Sequence, residues 1–321
     1  MFDFVTLGSA TKDTFLFLNK ALLKPGVNKH FLEIPTDKKI DVTKVLEFSG
    51  GSATNSAATF SAFGKKCAVI SKIGNDEYGR FIIDDLNKRK ISTELIKVSS
   101  GETPFSNIIV SSSGDMILLI YRGLESTLSL EDIQLNFESK WLYIGPLPYK
   151  NIDILTETLK FAKENGMKTV LNPGSVELNL KLKKMAPVLK YVDIISMNDD
   201  EAKTFVGYAN DVNNLSKLSE YVNEIAIITK GEKGSLVSSK NNLYIANTFK
   251  SKQINFVGAG DAFLSAFVNA IDDGKDIEQS ITAGSFNASN VIQKYGAKDG
   301  ITNRLPPDNM KLRIVKSKIS I

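Results

Sequence analysis

Residues 141–174 read WLYIGPLPYKNIDILTETLKFAKENGMKTVLNPG. WLYIGPL is an apolar run of strand length. ILTETLKFAKENG then places its apolar residues at helical spacing and stops at Gly166, and KTVLNPG is a second short apolar run. Strand, helix and strand in that order form a crossover unit whose two strands lie parallel in one sheet. The alternation continues through a helical piece near 178–190, the strand VDIISMN (192–198), the helices DDEAKTFVG (199–207) and LSKLSEYVN (215–223), and the strand EIAIITKGEKG (224–234). It also runs backwards, through the strands FDFVTLG (2–8) and CAVISKIG (67–74) and the helices in GGSATNSAATFSAFG (50–64) and NDEYGRFIIDDLNKRKI (75–91). The expected fold is α/β, with a doubly wound, mainly parallel sheet.

Two stretches break the alternation. Residues 14–48 hold the short apolar runs FLFL, HFLEIP and VLEF between polar turns, and FSNIIVSSSGDMILLIY (105–121) reads as a hairpin. Together, over about 14–48 and 100–122, they are expected to form a small antiparallel lid on the core. No repeat, low-complexity tract or Pro-rich linker divides the chain, so residues 1–321 are expected to be a single domain.

Composition narrows the function. The 321 residues carry 40 Lys and Arg against 36 Asp and Glu, a net charge of +4 with no basic stripe, which does not suit nucleic acid. Cys67 is the one cysteine and lies in the apolar run CAVI, and His30 is the one histidine, in a polar segment expected to be exposed. A Cys/His or Ser/His/Asp hydrolase and a His/Cys metal site are therefore not expected, and no disulfide can close within the chain. The N-terminus has no targeting pattern and no stretch is long enough to span a membrane, so the expected location is cytoplasmic, without a membrane partner. Trp141 is expected in the core.

In open parallel sheets, ligands bind beyond the carboxyl ends of the strands. Polar clusters recur there: Asp13 after the first strand, Gly50, Gly51 and Asn55 at a helix entry, and Asn172 after KTVL. Asn198 and Glu201 follow VDIISM, and Thr229, Gly231 and Gly234 follow EIAII. Last comes NFVGAGDAFLSAF (255–267), two glycines and an aspartate at the mouth of a helix apolar nearly all round. The chain has no GxGxxG after a strand and no GxxxxGK[ST], so neither a nicotinamide-dinucleotide site nor a P-loop is supported. The amides of Gly258, Ala259 and Gly260, at the positive end of a helix, can still hold developing negative charge. Asp261 beside them can take a proton from an alcohol, and that pair suits phosphoryl transfer. Helix capping is the alternative role for an isolated aspartate.

These residues resemble the ribokinase family, also called the PfkB carbohydrate kinases, over nearly the whole chain. Gly50, Gly51, Asn55, Ala57, Gly64 and Gly74 fit the spacing of its first signature. GAGD with Ser265 and Ala266 fits the heart of the second, Asn198 and Glu201 its NxxE motif, and Thr229, Gly231 and Gly234 its TxGxxG turn. The resemblance implies a kinase using ATP and Mg²⁺, with Asp261 as base and Gly258, Ala259 and Gly260 as anion hole. Asp13, Gly50, Gly51 and Asn55 would bind acceptor hydroxyls, with Asn107 as a further polar contact and Arg122 either over the acceptor or merely on the surface. Asn198 and Glu201 would organise Mg²⁺ and the phosphates, with Glu201 acting on the metal or simply supporting its own helix start. Thr229, Gly231 and Gly234 would border the nucleotide, and Asn287, Gly296 and Ala297 would flank the adenine.

The sequence departs from the family at Asn255, where an aspartate is usual. In relatives activated by a monovalent cation that aspartate helps hold the ion, so the neutral Asn255 weakens the expectation of K⁺ dependence. Phe256 adds unexplained bulk, and the arginine many sugar kinases carry near Asn172 is missing. The acceptor is expected to be a sugar. The alternative is a nucleoside, for which Phe15, Phe17, Phe31 or Phe105 would wall the base, and a remoter alternative is a sensor without activity. Exposed lid edges need covering, and pairing two lids into a homodimer is one way to do it.

Overall fold

β1 (Phe2–Leu7) shows how the core divides. Val5 and Leu7 point to one face of the sheet and Phe4 to the other, and all three are fully buried. A strand apolar on both faces needs helices on both, which is the requirement of a parallel sheet. The computed structural model describes residues 1–18, 22–25, 30–33, 36–37, 39–147, 152–307, 310 and 312–318. The expectations for the side chains of His30 and Phe31 lie outside what is described.

After β1 come β2 (Thr11–Leu18), β3 (Leu22–Pro25), β4 (His30–Glu33), β5 (Val42–Gly50), α1 (Ser52–Ala62), β6 (Cys67–Gly74), α2 (Glu77–Lys88) and β7 (Ile96–Ser99). A hairpin, β8 (Phe105–Val110) and β9 (Met116–Tyr121), precedes β10 (Ser139–Ile144), α3 (Ile152–Glu164), β11 (Lys168–Leu171), α4 (Ser175–Leu189) and β12 (Ile194–Asn198). The chain goes on through α5 (Asp199–Val206), α6 (Asp211–Ser219), β13 (Ile225–Thr229), β14 (Ser235–Ser239) and β15 (Asn242–Ala246). It closes with α7 (Ala259–Asp272), α8 (Ile277–Val291) and β16 (Ile314–Lys318).

The large sheet has ten strands in the order β16-β15-β14-β13-β12-β11-β10-β1-β6-β7. It is parallel from β7 to β13 and antiparallel from β13 to β16. Val5, Leu7, Leu142 and Ile195 face α3 to α6, while Phe4, Val69, Tyr143 and Ile227 face α1, α2, α7 and α8. Trp141 is buried in the second group, with Nε1 bonded to Asp272 at 2.9 Å. α7 is buried along almost its whole length, as its apolar surface requires.

A four-stranded sheet, β5-β2-β8-β9, lies over one end, and β3 pairs with β4 separately. Its outer pairings are antiparallel, and β2 with β8 at its centre is parallel. The parallel pair follows from the connection, because the chain passes through the large sheet between β2 and β8. Phe15, Ile108 and Val110 pack with Phe48, Val257 and Tyr295, so the lid rests on the segment before α7 and on that after α8.

Helix boundaries differ from expectation mainly at α6, which ends at Ser219 and not at Asn223. The structure adds β7, β14, β15 and β16, short strands without the long apolar runs of the central ones.

Candidate active site

β2 and β5 pair so that Asp13 lies opposite Phe48 and Thr11 opposite Gly50. A Cβ on Gly50 would sit 1.9 Å from Asp13 Oδ2, so the carboxylate occupies the space that the glycine leaves. Gly51, at φ +93°, turns the chain into α1 with Ser9 O where a side chain would lie. Asn55, one turn into α1, is 5% exposed and donates from Nδ2 to Asp261 Oδ2 at 2.9 Å. Its Oδ1 is buried and meets no partner among the described residues, an acceptor atom poised for an incoming hydroxyl. Burial raises the pKa of Asp13, opposed by hydrogen bonds from Thr11 and Ser106 and by the charge of Lys298. Burial likewise pushes Asp261 up to about 6, with Asn55 and Lys298 pulling the other way.

α7 begins without a side-chain cap. Gly258 stands at φ +79°, and a Cβ there would meet Ala297 Cβ at 2.4 Å. The Ala259 N–H turns back to Phe256 O at 3.3 Å. The amides of Gly258, Gly260 and Asp261 meet no acceptor among the described residues. Of the expected donors Gly258, Ala259 and Gly260, Ala259 is engaged by the turn that starts the helix, and Asp261 adds an amide beside the other two. Open space surrounds the position of a Gly260 Cβ, which leaves room for an anion to approach.

Asn255 is 1% exposed and braces this turn. Its Oδ1 accepts from Val257 N at 2.8 Å, and its Nδ2 donates to Gly296 O at 3.1 Å. A carboxylate could not make the second bond.

A cavity of about 840 Å³ opens on the far side of the GAGD turn. Thr229, Gly231, Gly234, Phe256, Phe263 and Ser289 are among the residues that line it. A lining of mixed apolar and polar residues fits a nucleotide, and Phe256, unexplained in the sequence, is part of it. Gly234 (φ +89°) is required here, since a Cβ would lie 1.9 Å from Ala246 O.

Asn198 caps α5 by accepting from Glu201 N, while Glu201 Oε2 accepts from Asn198 N, each at 2.8 Å. The NxxE spacing is thus a reciprocal capping box. Both residues also line a second hollow of about 530 Å³, with Asp199 and Asp200. Among the described residues, no cluster of three His, Cys, Asp or Glu could hold a metal by itself.

Several expected positions fall elsewhere. Asn287 is fully buried, bonding Ala262 O at 2.9 Å and Thr302 N at 3.0 Å, so it fastens α7 to α8 and does not face the cavity. Gly296 packs on Phe48 and Ala297 on Gly258, behind the anion turn and away from the cavity wall. Asn107 pairs with Thr14 and Ser106 with Asp13, so alternation puts Asn107 on the opposite face from the acceptor residues. Arg122 is partly exposed, 3.6 Å from the buried Glu125. Asn172 ties β11 to β12 through Ser196 O at 2.9 Å.

Sequence reasoning missed Ser106 and Lys298. Strand period from Asp13 could have found Ser106 only with the β2–β8 register known. Lys298 carries no local signal, being one lysine in a polar loop.

A half-buried carboxylate with raised pKa, between a polar pocket and a nucleotide-sized cavity and beside an uncapped helix start, defines a phosphotransferase acting on an alcohol. Residues 26–304 match the pfkB family of carbohydrate kinases, and the chain belongs to that family. Ribokinase of Staphylococcus aureus is 28% identical over 316 residues, covering 92% of this chain and 95% of the relative. The structure of Arabidopsis thaliana ribokinase complexed with ribose and ATP superposes with a TM-score of 0.77, covering 94% and 96% of the two chains at 19% identity. The nucleoside kinase of Burkholderia thailandensis in complex with inosine gives 0.76, with 94% and 95% coverage at 17% identity.

Proposed function

We propose that this enzyme transfers the γ-phosphate of ATP to a primary hydroxyl of a small sugar. The observation that carries the reading is the Asn55–Asp261 contact where pocket and cavity meet. Asp13, Gly50, Gly51 and Asn55 hold the acceptor hydroxyls. Asp261 Oδ1, not engaged by Asn55, takes the proton of the attacking hydroxyl, and a pKa near 6 leaves it ionised at neutral pH. The amides of Gly258, Gly260 and Asp261 receive the charge that develops on the transferred group. Thr229, Gly231 and Gly234 border the nucleotide, as the cavity beside them supports.

Glu201 and Asn198 suit Mg²⁺ held through water, since one carboxylate oxygen already caps the helix. Bound there, the ion would supply positive charge to the phosphates. Asn255 supports a monovalent-cation-independent enzyme, because its amide already engages the Gly296 carbonyl.

A sugar is favoured over a nucleoside because the candidate aromatic walls are engaged in packing. Phe15 is fully buried edge-on to Phe48 and Tyr295, Phe17 packs on Tyr295, and Phe105 lies between Tyr78 and Tyr121. We further propose a single domain with its lid over about 14–48 and 100–122. Exposed Leu119 and Ile120 on the edge strand β9 suit pairing with a second copy. No helix among the described residues is long and apolar enough to cross a membrane, and the lone buried Cys67 suits a reducing, cytoplasmic setting.

The test is ADP release from ATP and Mg²⁺ with ribose, fructose, 2-keto-3-deoxygluconate, adenosine, cytidine, guanosine and inosine, with Asp261→Asn as control. Turnover with a sugar, lost in the variant, is expected. Turnover with a nucleoside alone would overturn the sugar assignment, and silence with folded, ATP-binding protein would overturn this acceptor set.

A further inference from the structure

Lys298 is 4% exposed, deep burial for an ammonium group. Its Nζ donates to Ser49 Oγ at 2.6 Å and lies 3.3 Å from Asp85 Oδ2. Ser49 immediately precedes Gly50–Gly51 on β5. Lys298 itself follows Gly296–Ala297, the pair packed behind Phe48 and Gly258. One side chain therefore joins the floor of the acceptor pocket to the loop that buttresses the anion turn.

Pairing with Asp85 does not account for this lysine. Arg89 Nε already bonds both Asp85 oxygens, at 3.0 and 3.2 Å, so Asp85 would keep a cation without it. Burying an ammonium costs several kcal/mol unless other charges offset it. The groups facing it are Asp85 from α2, Arg89 just after that helix, Asp13 from β2, Asp261 from α7 and the uncharged Ser49 from β5. Asp299, next in the chain, is 3.8 Å from Arg89. Two cations thus stand among four carboxylates, and Lys298 is the cation whose charge reaches both acceptor-side acids.

We propose that Lys298 is a positioning residue for phosphoryl transfer, an internal cation that ties the diglycine to the anion turn and holds Asp13 and Asp261 as carboxylates. Burial depresses its own pKa to about 8, so it remains charged at neutral pH. Its catalytic consequence rests on the kinase reading above, whereas its electrostatic effect does not.

The experiment is a pH titration of the aspartate carboxyl carbons by ¹³C NMR in wild type, Lys298→Met and Lys298→Arg, with Asp13→Asn and Asp261→Asn giving the assignments. Lys298→Met should move the midpoints of Asp13 and Asp261 upward by about one unit, as loss of a nearby opposite charge does, and Lys298→Arg should restore them. In the same variants the acid limb of kcat/KM should follow Asp261, costing about tenfold below the limb and little at pH 8. A Lys298→Met variant with unmoved midpoints overturns the proposal. If that variant does not fold, Asp85→Asn with Lys298→Met removes one acid together with the cation and is read the same way. Wild type inactive on every acceptor would count against the kinase reading, while the carboxyl midpoints would still decide the role of Lys298.

Discussion

Asp261 shows what surroundings do to an ordinary residue. At a helix start an aspartate normally accepts from nearby backbone N–H groups, which lowers its pKa. Here the carboxylate turns to Asn55, and burial raises its pKa to about 6. kcat/KM should therefore fall about tenfold per unit as pH drops below that value, which a pH–rate profile measures. Asp261→Asn should keep ATP binding, read by calorimetry, and lose several orders of magnitude in turnover.

Glu125 makes the converse point. It is 3% exposed, its Oε1 meets no partner among the described residues, and burial pushes its pKa up to about 7 against the pull of Arg122. The folded state then binds more protons than the unfolded one between the ordinary carboxyl range and pH 7, so this group makes stability fall as pH rises through that window. Glu125→Gln should be more stable than wild type at pH 8, by about 1–3 kcal/mol. The advantage should fade by pH 4, and urea unfolding at both pH values checks it.

At the scale of elements, glycines place the site. Gly234 turns β13 into β14 with Ala246 O in contact, so Gly234→Ala should cost at least about 1–3 kcal/mol of strain and weaken nucleotide binding. Thermal unfolding and ATP titration would show both. Elements with strong periodicity, β1, β6, β10 to β13 and the buried α7, are legible in the sequence because each must bury a continuous apolar surface. β14 to β16 are not, because an edge ribbon takes its order from the strand beside it more than from its own pattern. The face on which Asn107 lies is hidden in the sequence for a related reason. Its facing depends on the β2–β8 register, set by segments about ninety residues apart.

Across the whole molecule, Phe15 and Phe17 meet Tyr295 while Phe48 packs edge-on to Phe15, and this cluster carries the lid down onto the core. Tyr295→Ala should loosen it, raising the KM for the acceptor about tenfold and admitting water to the site. ATP hydrolysis without acceptor should then rise, which the coupled assay reads directly.

The amino-acid sequence by itself determined the parallel α/β core, the interrupting lid and the GG and GAGD turns. Those features are written locally, in apolar period and in glycines, of which Gly51 and Gly258 stand at the positive φ that other residues rarely adopt. Only the tertiary structure decided that Asn287, Gly296 and Ala297 support the site from behind, and that Lys298 reaches Ser49 and Asp85. Each is a contact between residues far apart in the chain or a choice of face. Such things are fixed by packing, where burial strengthens every charge and leaves each side chain one way to point.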